Sequence, residues 1–251
     1  MKIAIITGVT SGLGQEFLKN VNSAHPELDS IWVIARRVSR LEELSESYDK
    51  LRAIPLDLCE NESIDKIKQL LEQEKPDIRV LVNNAGFGEL GNFYENDYLK
   101  QMSMIDLNNR ALTAMCTICA NYMSAGSYIV NVASIASFAP TPRMAVYCST
   151  KAYVKSFTRC IRCELKPKQI NALTVCPGPM STEFLDVAGI SGGRSKTFEM
   201  LPYTDPAMVA KNAVKYAKAG RGVYTPRVFY KFYRLIAKLL PHDLVMIFSK
   251  T

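Results

Sequence analysis

The chain has 251 residues, of which 48% are hydrophobic, with seven cysteines, two histidines and a formal net charge of +7. That length and apolar content suit one α/β domain with a large core. The odd, scattered cysteine set excludes a secreted disulfide scaffold, and no apolar run approaches the roughly 20 residues of a membrane span.

Lys2 to Thr7 is an apolar strand that starts at once, too early for a signal peptide, so a cytoplasmic protein is expected. It runs into Gly8-Val9-Thr10-Ser11-Gly12-Leu13-Gly14, and a helix follows with Phe17, Leu18 and Val21 at helical spacing. Glycines here let the backbone turn sharply and approach a ligand, and the helix start offers unpaired N–H groups that suit a pyrophosphate. The second strand is Ile31 to Ala35. An NAD site places an acid about 20 residues past the glycines, on the ribose 2′-hydroxyl. Here Ala35 is followed by Arg36 and Arg37, which favours a 2′-phosphate and hence NADP(H) over NAD(H). The plainer reading leaves both arginines solvated at a strand end.

A third strand, Arg52 to Leu56, ends at Asp57-Leu58, and a polar helix runs to about Lys75. Ile78 to Val82 is apolar enough to be buried on both faces of a parallel sheet. It ends at Asn83-Asn84-Ala85-Gly86, where amides can tie loops together and a glycine admits close backbone approach. Asp97 to Met123 reads as one long helix with Asn108, a mediocre helix former, in its middle. Taken alone, Asn108 is an exposed polar residue. Ser127 to Val132 is the fifth strand and ends at Ala133-Ser134. The next helix carries Tyr147 and Lys151 and runs to about Leu165; Gln169 to Val175 is the sixth strand, ending at Cys176-Pro177-Gly178-Pro179.

Alternating strands and helices argue a doubly wound parallel sheet of about seven strands in a single domain, with ligands at the strand ends. From about 182 to 204 the periodicity dissolves around Gly189, Gly192 and Gly193. A mobile flap is expected there, whose Phe184, Leu185, Val187, Ile190, Phe198 and Met200 cover an apolar substrate. Asp205-Pro206 opens a helix to about Ala219, and Val223 to Thr225 is the last strand. A basic, aromatic extension spans about 226–251: from Lys211 to Thr251 nine Lys and Arg stand against Asp243 alone. Charge confined to one end gives nucleic-acid binding little support. Lys231, Arg234 and Lys238 share a narrow helical arc, with Phe232, Leu235, Ile236 and Leu239 elsewhere around it. One reading is an amphipathic helix at an anionic membrane surface or beside an acidic ligand. The other, commoner one is a helix docked on the body or on another subunit with its charges in water.

Cys116-x-x-Cys119 and Cys160-x-x-Cys163 have zinc-like spacing but lie inside helical patterns with no turn residues to shape a knuckle, so no metal site is expected. The chemistry centres on Tyr147 and Lys151. Four apart on a helix, they share one face, and an ammonium near a phenol lowers its pKa toward the working range. Ser134 offers a hydroxyl to the same substrate oxygen. This set moves one proton on or off a carbonyl or alcohol oxygen, and needs a hydride donor beside it.

Thr7-Gly8-x-x-x-Gly12-x-Gly14, Asn83-Asn84-Ala85-Gly86, Asn108, Ser134, Tyr147-x-x-x-Lys151 and Pro177-Gly178, in this order and spacing, resemble the short-chain dehydrogenase/reductase family from Lys2 to about Thr225. The resemblance implies that Tyr147 is the general acid/base. It implies that Lys151 lowers the pKa of Tyr147 and binds the nicotinamide ribose, Ser134 holds the substrate oxygen, and Asn108 anchors a water chain to Lys151. Gly8, Ser11, Gly12 and Leu13, with Gly14 completing the turn, would surround the diphosphate. Asp57 and Leu58 would meet the adenine, and Asn84, Ala85 and Gly86 the adenosine side. Pro177 and Gly178 would bound the cofactor, Thr182 would bond its carboxamide or phosphate side, and Arg36 matches NADP-preferring members. A homodimer or homotetramer through the two long helices is implied. The leading activity is an NADPH-dependent reductase of a lipophilic ketone or aldehyde, such as a steroid, bile acid or 3-oxoacyl group. The competing readings are a non-catalytic NADP-binding scaffold and a sugar-nucleotide epimerase, whose extra C-terminal domain is lacking.

Overall fold

The computed structural model describes residues 1–190, 195 and 200–248. Seven strands form one parallel sheet: β1 (Lys2–Thr7), β2 (Ser30–Ala35), β3 (Leu51–Pro55), β4 (Asp77–Asn83), β5 (Tyr128–Val132), β6 (Asn171–Val175) and β7 (Val223–Tyr224). Their order is β3-β2-β1-β4-β5-β6-β7, so the winding reverses between β1 and β4. A crevice forms at the carboxyl ends of strands on either side of such a reversal, because the connections leave in opposite directions.

The central strands are apolar on both sides because helices cover both faces. On one face α1 (Gly12–Ala24) lies beside α8 (Pro206–Lys218), and Phe17, Leu18, Val21, Val209 and Ala213 pack onto Ile6, Val33 and Val130. The other face is covered by α3 (Asn61–Glu74), α5 (Leu112–Cys119) and α6 (Ala145–Glu164), with Leu71, Met115 and Val154 against Ile5, Leu81 and Ile129. Helix α2 (Val38–Ser47) joins β2 to β3. Asn83 and Asn131 are buried among these apolar neighbours and joined by one hydrogen bond: Asn83 Nδ2 donates to Asn131 Oδ1 at 2.8 Å, and Asn131 Nδ2 to Thr158 Oγ1 at 3.0 Å, while Asn83 Oδ1 has no partner among the described residues.

The helix expected over 97–123 is not uniform. Helix α4 (Tyr98–Ile105) passes through a π-helical stretch, Asp106–Ala111, before α5, and ends in a 3₁₀ turn at Ala120–Tyr122. A π turn inserts one residue into the helical ladder and re-aims a side chain; here it lies at Asn108. Within the segment expected to be a flap, α7 (Glu183–Val187) is helical; Ser191, Gly192, Gly193 and Phe198 lie outside the described residues. The C-terminal segment forms α9 (Val228–Leu239) and α10 (His242–Phe248).

Cys116 and Cys119 are buried in the core, whereas Cys160 and Cys163 are exposed on α6. Among the described residues no group of His, Cys, Asp and Glu is arranged to hold a metal ion, and no helix is long and apolar enough to cross a membrane.

Candidate active site

A cleft of about 1030 Å³ opens at the strand ends, and every site residue predicted from sequence lines it except Gly14 and Asn108. Those two support the wall from behind. A Cβ on Gly14 would overlap the Gly8 carbonyl oxygen, and Gly8 itself turns with φ +70 under Ala85. Asn84 fastens the turn: its Nδ2 donates to the carbonyls of Thr7 at 3.2 Å and Gly8 at 2.9 Å. Thr7 Oγ1 answers by accepting the amides of Asn84 and Ala85 at 3.1 and 3.0 Å. The amide nitrogen of Asn84 therefore holds the glycine loop. The sequence placed Thr7 in the glycine motif but gave its hydroxyl no role; that role is to hold the Asn84 and Ala85 amides.

Two arginines stand where β2 ends. Arg36 is exposed and pairs loosely with Asp57 at 3.4 Å, while Asp57 Oδ1 also accepts the Cys59 amide. Arg37 reaches across the turn, donating to Thr10 Oγ1 and Thr10 O at 3.1 and 3.0 Å and to Glu183 on α7 at 2.9 Å. Thr182 precedes α7 and lies against Gly12. Leu58 is buried beneath the Asp57 turn.

Ser134, Tyr147 and Lys151 all line the cleft, and the Ser134 and Tyr147 side chains are hydrogen-bonded to each other. Lys151, only 5% exposed, stands with Nζ 5.8 Å from the Tyr147 ring centroid and donates to the Val132 carbonyl at 3.0 Å. Burial lowers its pKa to about 8, because a charged ammonium loses its water there. Sequence reasoning expected that ammonium to depress the Tyr147 pKa. Packing reverses that balance: burial pushes the phenol up, and a Ser134 hydrogen bond opposes it only in part. Phe184 of α7 contributes to that burial, its ring 5.7 Å from that of Tyr147.

Asn108 is 1% exposed and fully engaged, so the exposed-polar reading is overturned. Its Oδ1 accepts the Phe87 amide at 3.1 Å, and its Nδ2 donates to Phe87 O at 2.9 Å and Thr150 Oγ1 at 3.0 Å. Thr150 Oγ1 in turn donates to the Tyr147 carbonyl at 2.8 Å. The π turn thus ties the loop after β4 to the helix carrying Tyr147 and Lys151. Thr150 was not singled out from sequence, though its place three residues after Tyr147 and one before Lys151 marks it.

The remaining wall is largely apolar: Phe87, Met144, Met180 and Phe184 line it together with Tyr233 and Ile236 of α9. Tyr230 anchors that helix, with its ring against Gly178 and its hydroxyl donating to the Pro202 carbonyl at 2.7 Å. No sequence signal connected α9 to the site beyond its density of aromatic residues.

A parallel sheet that reverses at β1/β4, with a glycine-lined turn and a deep cleft at the reversal, defines a Rossmann-type nucleotide-binding α/β protein. The chain matches the short chain dehydrogenase family over residues 2–189 and belongs to it, as an oxidoreductase of that family. An uncharacterized oxidoreductase of Staphylococcus saprophyticus is 29% identical over 191 residues, covering 74% of this chain and 76% of that protein. Two solved structures share the fold. A short-chain dehydrogenase from Sphingobium yanoikuyae in complex with NADPH has TM-score 0.79 and 24% identity, over 98% of this chain and 96% of that one. A short-chain dehydrogenase/reductase from Burkholderia phymatum in complex with NAD has TM-score 0.80 and 18% identity, over 100% of this chain and 96% of that one.

Proposed function

We propose that this oxidoreductase reduces a lipophilic ketone or aldehyde with NADPH, and runs in reverse as an alcohol dehydrogenase. The carrying observation is the position of Tyr147, Ser134 and Lys151, at the seam between the glycine-lined and the apolar parts of one cleft. The glycine turn fits a dinucleotide because its backbone is bare, and Arg36 and Arg37 where β2 ends suit a 2′-phosphate. Bound NADPH supplies the hydride. Ser134 Oγ orients the carbonyl oxygen, and Tyr147 delivers the proton to it. Lys151 carries the charge that steadies the phenolate left behind, and Asn108 fixes the helix that bears both. Burial keeps Tyr147 in its acid form, which the reductive direction requires.

The test is NADPH consumption against a panel of ketones and aldehydes of graded polarity. Turnover is expected to rise with apolar character. Tyr147→Phe is expected to bind NADPH as before and lose roughly 10²–10⁴-fold in turnover; retention of most activity refutes the mechanism. Seven unpaired thiols fit a reducing, cytoplasmic setting. Exposed Leu99 and Met102 on α4, with Tyr153 on the adjoining α6, support a homodimer or homotetramer through these helices.

A further inference from the structure

Helix α9 is divided lengthwise. Tyr230 and Ala237 are buried against the body, which fulfils the docked reading of this segment for one face only. The opposite face is left bare: Val228, Phe232, Leu235 and Leu239 are 79, 62, 51 and 68% exposed. At about 100° per residue these four fall within an arc of about 60°. Lys231, Arg234 and Lys238, all exposed, occupy the adjoining arc. Helix α10 continues the bare surface with exposed Leu244 and Ile247.

Two observations select the occupant. Asp243 is the only acid between Arg227 and Phe248. Two copies pressed together on this face would therefore set cation against cation, whereas an anionic surface attracts the same charges. The bare face is also continuous with the cleft: Phe229, Phe232 and Leu240 are exposed and line it at once, and Ile236 and Val245 line it just inside. We infer that α9 and α10 dock this protein on an anionic lipid bilayer, with the apolar stripe sunk into the acyl boundary and the cleft opening beside it. Delivery of an apolar substrate from the bilayer rests on the proposed reductase activity. The docking itself does not, and it is read without turnover.

The experiment is flotation of the full chain with phosphatidylcholine vesicles, with and without phosphatidylserine, at low and high salt. Binding is expected only with phosphatidylserine and is expected to weaken with salt. Leu235→Glu with Leu239→Glu, neither of which lines the cleft, should abolish flotation and leave stabilisation by NADPH against heat unchanged. Lys231→Glu with Lys238→Glu should weaken it about tenfold or more and serves if the first pair fails to fold. The inference is overturned if no flotation occurs with phosphatidylserine at low salt, or if neutral vesicles bind equally well. It is also overturned if binding survives Leu235→Glu/Leu239→Glu, or if the chain ignores vesicles and that pair merely splits a dimer.

Discussion

The two walls of the cleft hold their shape by different means. Around β1, β2 and β4 the wall is backbone and short polar side chains, fixed by the bonds of Asn84, Thr7 and Arg37. Beyond β5 it is large apolar side chains from three separate places in the chain, with Phe184 of α7, Met144 before α6 and Ile236 of α9 all lining the cleft. Hydrogen bonds have narrow geometric tolerance, so the first wall suits one ligand geometry. Apolar contacts have little directionality, so the second wall sets size and polarity more than identity. Tyr147 and Lys151 stand where the two meet, and the substitutions with the largest expected effects are there.

Tyr147→Phe is the first of these, since it removes the proton donor and leaves both walls standing. Lys151→Met comes next and separates chemistry from stability. A buried ammonium whose pKa falls from 10.5 to about 8 costs the folded state roughly 3 kcal/mol at neutral pH. That penalty is complete below pH 8 and is relieved as pH rises from there to 10.5. Lys151→Met should therefore lose activity yet stabilise the cofactor-free protein at pH 7, and the rise in stability above pH 8 should flatten. Chemical denaturation at pH 7 and pH 9.5 checks both; a destabilised variant would show that the Val132 bond outweighs the desolvation.

Asn108→Ala strikes the seam from behind. It strands the Phe87 amide and carbonyl and takes one donor from the Thr150 hydroxyl, which keeps its bond to the Tyr147 carbonyl, and should cost about 2 kcal/mol on denaturation, with a matching fall in turnover. A silent Asn108→Ala would mean that the walls do not depend on this tie. The two arginines test the polar wall alone. Arg36 is largely in water, so Arg36→Ala should weaken NADPH binding by only about tenfold and leave NADH unchanged. Arg37 also grips Thr10 and Glu183, so Arg37→Ala should weaken both cofactors, NADPH the more, as titration by cofactor fluorescence would show.

The polar wall was readable from sequence because its parts are local. A glycine turn follows a strand, an asparagine run ends another, and Tyr147 and Lys151 lie one helical turn apart. What escaped has a physical reason in each case. The π stretch at 106–111 keeps the apolar spacing of an ordinary helix to within one residue, so periodicity passes over it. The rise of the Tyr147 pKa comes from burial, and burial is a property of packing that spacing does not carry. The basic arc of α9 was visible, but not that its inner face would be docked while its outer face stayed bare.

The apolar wall gives the smallest and most selective effect, at Tyr230. Its ring fills the space beside Gly178 so closely that a Cβ there would overlap it, and its hydroxyl reaches the Pro202 carbonyl at 2.7 Å. One contact thus fastens α9 both to the turn after β6 and to the segment entering α8. Burial raises the Tyr230 pKa to about 12, so the phenol stays neutral and keeps donating across the working range. Tyr230→Phe keeps the ring and deletes only that bond, at a cost of about 1 kcal/mol. The glycine turn lies on the far wall and loses nothing. The expected result is an unchanged Kd for NADPH, with KM for an apolar ketone raised a few-fold as α9 loosens and kcat almost unaltered. An equal loss in cofactor affinity would show instead that the two walls move as one.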